Sequence, residues 1–159
     1  MTKPEIEGQL RRAFAHVPRP PESEICRNQS TNIEERELAH FLRPLSWEDL
    51  IHAELWGPQD IFLTPAAFRY YLPGFILNVW SSGDGSKPLS AVGIVLPYDF
   101  ALDNLASLGE DEYRAVREVV ICEMNTGSET AKTAWEWGWK NPKSPWHPKN
   151  QEPHLDHVK

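Results

Sequence analysis

Apolar residues recur at three- and four-residue intervals along successive stretches of the chain, which is the period of one helical face. Ile6, Leu10, Ala13, Phe14 and Val17 predict a helix over 3–17, with Pro4 near its start, where a missing N–H is harmless. Pro18, Pro20 and Pro21 forbid its continuation and predict a loop over 18–30. Thr31 and Glu34 have capping-box spacing ahead of Leu38, Phe41 and Leu42, and Pro44 closes that segment. Ser46 with Asp49 opens the next, which turns Trp47, Leu50, Ile51 and Leu55 inward and ends at Gly57-Pro58.

Thr64-Pro65 repeats the cap-then-proline signature. After Pro73-Gly74 the apolar pattern resumes as Phe75, Ile76, Leu77, Val79 and Trp80, so 65–80 reads as a central, proline-kinked helix that is apolar on most sides. Ser81 to Ser86 is a polar, glycine-containing loop. Residues 88–97 fit either a short helix or a buried strand. Their β-branched content favours strand, but no second convincing strand is present to pair with it, which tips the reading to helix. Tyr113, Val116, Val119 and Val120 predict a helix from Glu110 to Met124, and 128–140 a last one. The expectation is an all-α fold, with a helical domain over 1–140 and an extended, proline-rich tail over 141–159.

With 159 residues, the chain is long enough to bury a core without disulfides or metal. Its formal charge of −7 opposes a phosphate backbone and suits a basic partner, so nucleic acid is not an expected ligand. No apolar run approaches a membrane span. Met1 to Glu7 lacks the apolar core of a signal peptide, and the expected compartment is the cytoplasm. Cys26 and Cys122 are far apart and match no metal spacing.

Candidate chemistry reduces to a few features. Gly83-Asp84-Gly85-Ser86-Lys87 has its Ser before its Lys, the wrong order for a phosphate loop. His147, His154, Asp156 and His157 lie in the tail without a cysteine or an i,i+4 histidine partner, so no metal or cofactor is expected. Cys122, among Val119, Val120 and Ile121, suits a small core hydrophobe. Glu34-Glu35 and Glu110-Asp111-Glu112 sit at helix starts, where capping and the helix dipole already account for them. Trp135, Trp137 and Trp139 alternate, which places the rings on one side of an extended chain and on different sides of a helix. They either clamp the C-terminal segment to the body or form a binding face, since tryptophan is enriched where partners anchor.

Leu63-Thr64-Pro65-Ala66-Ala67-Phe68-Arg69-Tyr70-Tyr71-Leu72-Pro73, with Ala13-Phe14-Ala15-His16-Val17-Pro18-Arg19-Pro20 before it and Ser46-Trp47-Glu48-Asp49-Leu50 between, resembles a small bacterial family without an assigned activity. The resemblance covers the first half of the chain. It implies bacterial origin, and small acidic bacterial proteins of this kind often resemble immunity proteins encoded beside toxins. The expected function is therefore non-enzymatic protein binding: an immunity protein that occludes the active site of a cognate toxin, through Glu110, Asp111, Glu112, Trp135, Trp137 and Trp139. The alternatives are a small enzyme whose site is assembled from sequence-distant residues, and a regulatory subunit of a larger complex.

Overall fold

A short polar side chain or a glycine in extended geometry stands just before four of the described helices: Thr2, Asn32, Ser46 and Gly109. The computed structural model describes residues 1–55, 62–82 and 106–140, and Ala91, Asn104, Pro142 and His147 besides. Thr2 caps α1 (Lys3–Phe14), accepting from the Glu5 N–H while Glu5 returns a bond to the Thr2 N–H. Helix α2 spans Ile33–Leu42 and is capped by Asn32, whose side chain accepts from the Glu35 N–H. This corrects the Thr31 cap: the Thr31 hydroxyl instead donates back to the Asn28 carbonyl. Ser46 and Asp49 form the expected box at α3 (Trp47–Leu50), and the Ser46 donors hold the exposed Asp49 carboxyl below its ordinary pKa. That helix is a single turn, shorter than the pattern through Leu55 predicted.

The central helix α4 (Pro65–Ser82) runs unbroken through Pro73, with the Thr64 hydroxyl accepting from the Ala67 N–H at its start. Among the described residues, helices α5 (Glu110–Asn125) and α6 (Glu129–Lys140) come next. Between them Ser128 N–H reaches the Glu123 carbonyl and Gly127 N–H the Met124 carbonyl, at 2.9 and 3.1 Å, with Gly127 at φ 93°. This is the Schellman stop, which requires a left-handed residue and therefore glycine. The chain is all-α. Among the described residues, extended pairing is limited to an isolated antiparallel bridge between Cys26 and Leu63. Helix α1 ends three residues short of the predicted 17. Val17, still buried, is carried by a turn whose N–H bonds the Phe14 carbonyl at 3.2 Å. The helix-or-strand reading of 88–97 lies outside the described residues except for Ala91, and the tail over 141–159 lies outside them except for Pro142 and His147.

Side-chain pairings give the helix directions. Arg69 meets Glu112, and Trp80 meets Glu123; both pairs are 43 residues apart, so α4 and α5 run parallel. Lys3 lies within electrostatic reach of Cys122, and Arg12 shares a groove with Arg114, so α1 runs antiparallel to α5. Helix α1 sits against both α4 and α5, burying Ile6, Leu10 and Phe14 almost completely. Burial of those three side chains is worth about 1.5–3 kcal/mol each.

Helix α4 also organises the short helices. On one of its faces Tyr71 donates to the carbonyls of Leu42 and Leu45, at 2.9 and 3.2 Å. One turn on, Gly74 faces the α3 backbone. A further turn on, Asn78 Nδ2 lies 2.8 Å from the Leu50 carbonyl and 2.7 Å from that of Ala53. The carbonyls left over at the ends of α2 and α3 are thus satisfied by α4 side chains.

Candidate functional site

The ionisable groups divide into those bound into the fold and those left at the surface. Of the buried carboxylates, Glu35 accepts from the Asn28 N–H at 2.7 Å and orders the loop before α2. Glu112 takes Arg69 in a two-point pair, Nε to Oε1 at 2.5 Å and Nη2 to Oε2 at 3.0 Å, and also accepts from the Gly109 N–H. Its carboxylate raises the Arg69 pKa by hydrogen bonding to the charged guanidinium. Glu123 accepts from the Trp80 indole at 3.1 Å and from the Ala91 N–H.

Both thiols are turned away from nucleophilic chemistry. Burial, then the nearby Glu35 carboxylate, push the Cys26 thiol up to about 12. Burial also raises that of Cys122. The attacking species is the thiolate, so at neutral pH a disulfide reagent should leave Cys26 unmodified in the native chain and label Cys122 slowly. Urea should expose both to rapid labelling. Native-state labelling of Cys26 as fast as that of a free cysteine would contradict its burial.

The site residues expected from sequence are distributed rather than gathered. Glu110 and Asp111 are exposed on the first turn of α5, with Arg114 2.8 Å from Glu110 and 3.7 Å from Asp111. Glu112 is only 6% exposed and is bound to Arg69, so it is removed from the surface cluster: this carboxylate is a fastening of the interior and cannot steer a partner. Trp135 is half-buried against the core, and the Arg117 guanidinium lies 5.7 Å from its ring centre. This ring therefore clamps α6 to α5 and is not a freely presented anchor. Trp137 is half-buried two residues further on, about 200° round the helix. The Trp139 side chain lies outside the described residues. The acidic turn lies six residues N-terminal to Arg117, about 9 Å along α5, so the Trp135 contact and the acidic turn share the α5–α6 hairpin but not one spot.

Sequence reasoning missed a groove of about 240 Å³ between α1 and α5, lined by Gln9, Arg12, Ala13, Asp111 and Arg114. Its walls come from residues a hundred positions apart that only the antiparallel packing brings together. The local signal was faint: Gln9, Arg12 and Ala13 flank the buried stripe of α1 on one side. Among the described residues, no group of three or more His, Cys, Asp or Glu side chains is placed to hold a metal, and no helix is long and apolar enough to cross a membrane. Compared with protein-family models, curated proteins and solved structures, the chain matches none of them.

Proposed function

We propose that this chain is a non-enzymatic protein-binding domain, and in its most concrete form an immunity factor that occludes the active site of a cognate toxin. The observation that supports this most is the division of its charges. Glu35, Glu112 and Glu123 each hold a backbone N–H or a side chain of the fold, whereas Glu110 and Asp111 stay exposed on a chain of net charge −7. Exposed carboxylates on an acidic body attract a basic cleft and speed encounter at low salt. The partner is a protein with a basic surface. The compartment follows from the same reading, since a toxin that acts inside the cell is neutralised in the cytoplasm.

The test is to express the chain in cells together with the toxins encoded beside its gene, then to measure binding kinetics. Protection against one toxin is expected. Reversing Glu110 and Asp111 to lysine should lower the association rate at least 10-fold at low salt, with a smaller effect at high salt, because screening shortens the reach of surface charge. Trp135 needs a parallel measurement of stability, since its ring also holds α6 in place. Catalytic turnover by the purified chain alone, or failure to protect against every neighbouring toxin, would defeat the proposal.

A further inference from the structure

The groove between α1 and α5 has unused hydrogen-bonding capacity of a definite sign. At about 240 Å³ it is smaller than the roughly 300–1,000 Å³ of small-molecule sites, and so matches a single side chain. Its polar groups can be accounted for one at a time. Arg114 is held by Glu110 at 2.8 Å and lies 3.7 Å from Asp111. Asp111 is 81% exposed, and that longer ion pair is its contact among the described residues, leaving its carboxylate oxygens open to further donors. On the opposite wall, Gln9 Oε1 is buried and accepts no hydrogen bond among the described residues. A buried acceptor left in this state costs about 1–3 kcal/mol, which an arriving donor would recover. Arg12 also lines the groove, but it is exposed on a long stem and can turn its guanidinium to water.

We infer that this groove seats an arginine or lysine side chain of the protein partner. The inference rests on the protein-binding reading given above and adds the chemistry of the contact. The aliphatic stem lies along Ala13 and the methylenes of Arg12 and Arg114, and the cationic end donates to Asp111 and, after a small rotation of the Gln9 amide, to its oxygen. Arginine suits the site best, because a planar fork with five donors can serve acceptors on two walls at once. The net charge of −7 favours a cation over an anion here despite the two resident guanidiniums: Glu110, at 2.8 Å, neutralises Arg114 and leaves Asp111 to the arriving cation, while Arg12 turns to water.

The test uses the full chain and small probes, so it needs no identified partner. Acetyl-argininamide, acetyl-lysinamide and the α-amide of acetyl-glutamate, which keeps its side-chain carboxylate, are titrated separately into isotope-labelled protein, and the Gln9 side-chain amide and the Asp111 backbone amide are followed by NMR. Saturable shifts are expected with the arginine probe, weaker ones with lysine, and none with glutamate. Asp111→Asn, an exposed change that leaves the fold intact, should weaken arginine binding about 2- to 5-fold, the effect of losing one favourable exposed charge pair. Gln9→Leu should weaken it as well while leaving the melting temperature of the chain equal or higher, because it removes an unpaired buried acceptor. No saturable shift with arginine, or stronger binding of the glutamate probe, overturns the inference. The two readings fail separately. A toxin that binds while the groove amides stay unprotected from hydrogen exchange removes the groove and keeps the binding function, whereas arginine binding without protection against any toxin removes the immunity role alone.

Discussion

Replacing Gly74 with alanine is expected to lower the stability of the chain by about 2–5 kcal/mol, although the same change in the middle of an exposed helix is worth roughly 1 kcal/mol in favour of alanine. The sign is decided by what the new methyl group meets. A Cβ at Gly74 would lie 2.2 Å from the Trp47 carbonyl oxygen and 3.0 Å from the Leu50 Cβ. The first of these is backbone, which cannot turn aside as the end of a side chain can. Helix α3 would have to back away from α4, and Asn78 and Ser81 would lose reach to the carbonyls of Leu50, Ile51 and Ala53. Each such bond contributes about 0.5–1.5 kcal/mol. The melting temperature should fall by about 5–15 °C, at roughly 2–4 °C per kcal/mol for a chain of this size. Gly8→Ala is the internal control. There the Cβ would meet only the mobile Nη1 of Arg12, at 3.2 Å, so the propensity gain should survive and the chain should become slightly more stable, by about 0.5–1 kcal/mol. Equal effects of the two substitutions would show that α3 does not rest on α4 at Gly74.

Gly74 also marks how far the sequence could be read. Periodicity and caps depend on neighbours three or four positions away, and these were legible: the Ile6–Leu10–Phe14 stripe, the Ser46–Asp49 box and the Thr64–Pro65 start all appear in the structure. Pro73-Gly74 read as a kink within one central helix over 65–80, and the single helix is what the structure has. In the folded chain Pro73 is absorbed inside α4, and Gly74 is used for close approach to α3, a role decided by Trp47 and Leu50 rather than by anything adjacent. The acidic triplet is divided for a related reason. Glu110, Asp111 and Glu112 look alike in sequence, but only the third falls on the buried stripe with Val116, Val119 and Glu123. Its partner Arg69 lies 43 residues away, beyond the reach of any local rule. The groove between α1 and α5 was hidden in the same way.

The Arg69–Glu112 pair should be costly to break from one side. Glu112→Ala removes a carboxylate that takes two guanidinium N–H groups and the Gly109 N–H, in a side chain 8% exposed beside an arginine 34% exposed. Stranding one member of a fully buried pair costs about 3–5 kcal/mol. The partial exposure of Arg69 lets water recover some of this, so about 2–4 kcal/mol is expected. Glu112→Gln keeps an acceptor for Gly109 and one arm of Arg69, and should cost less. Arg69→Met combined with Glu112→Leu should restore much of the loss, because the pair is then replaced by packed apolar surface without an orphaned charge. A double-mutant cycle on Arg69 and Glu112 should therefore give a coupling of about 1.5–3 kcal/mol, in the range of a hydrogen bond to a charged group. The exposed Arg11–Glu7 pair, 3.0 Å apart but more than 40% exposed on both sides, should give less than ~0.5 kcal/mol in the same measurement and lose it in salt. The contrast has a structural consequence. Helices α4 and α5 are parallel, and Glu112 and Glu123 fasten them at two levels eleven residues apart, through Arg69 and through Trp80. A sliding of one helix past the other breaks both contacts together, so the two glutamates set the register that apolar packing alone leaves loosely defined. If the cycle returns no coupling, or if the double apolar variant is as unstable as Glu112→Ala, the pair does not set that register and the packing of α1 against both helices does.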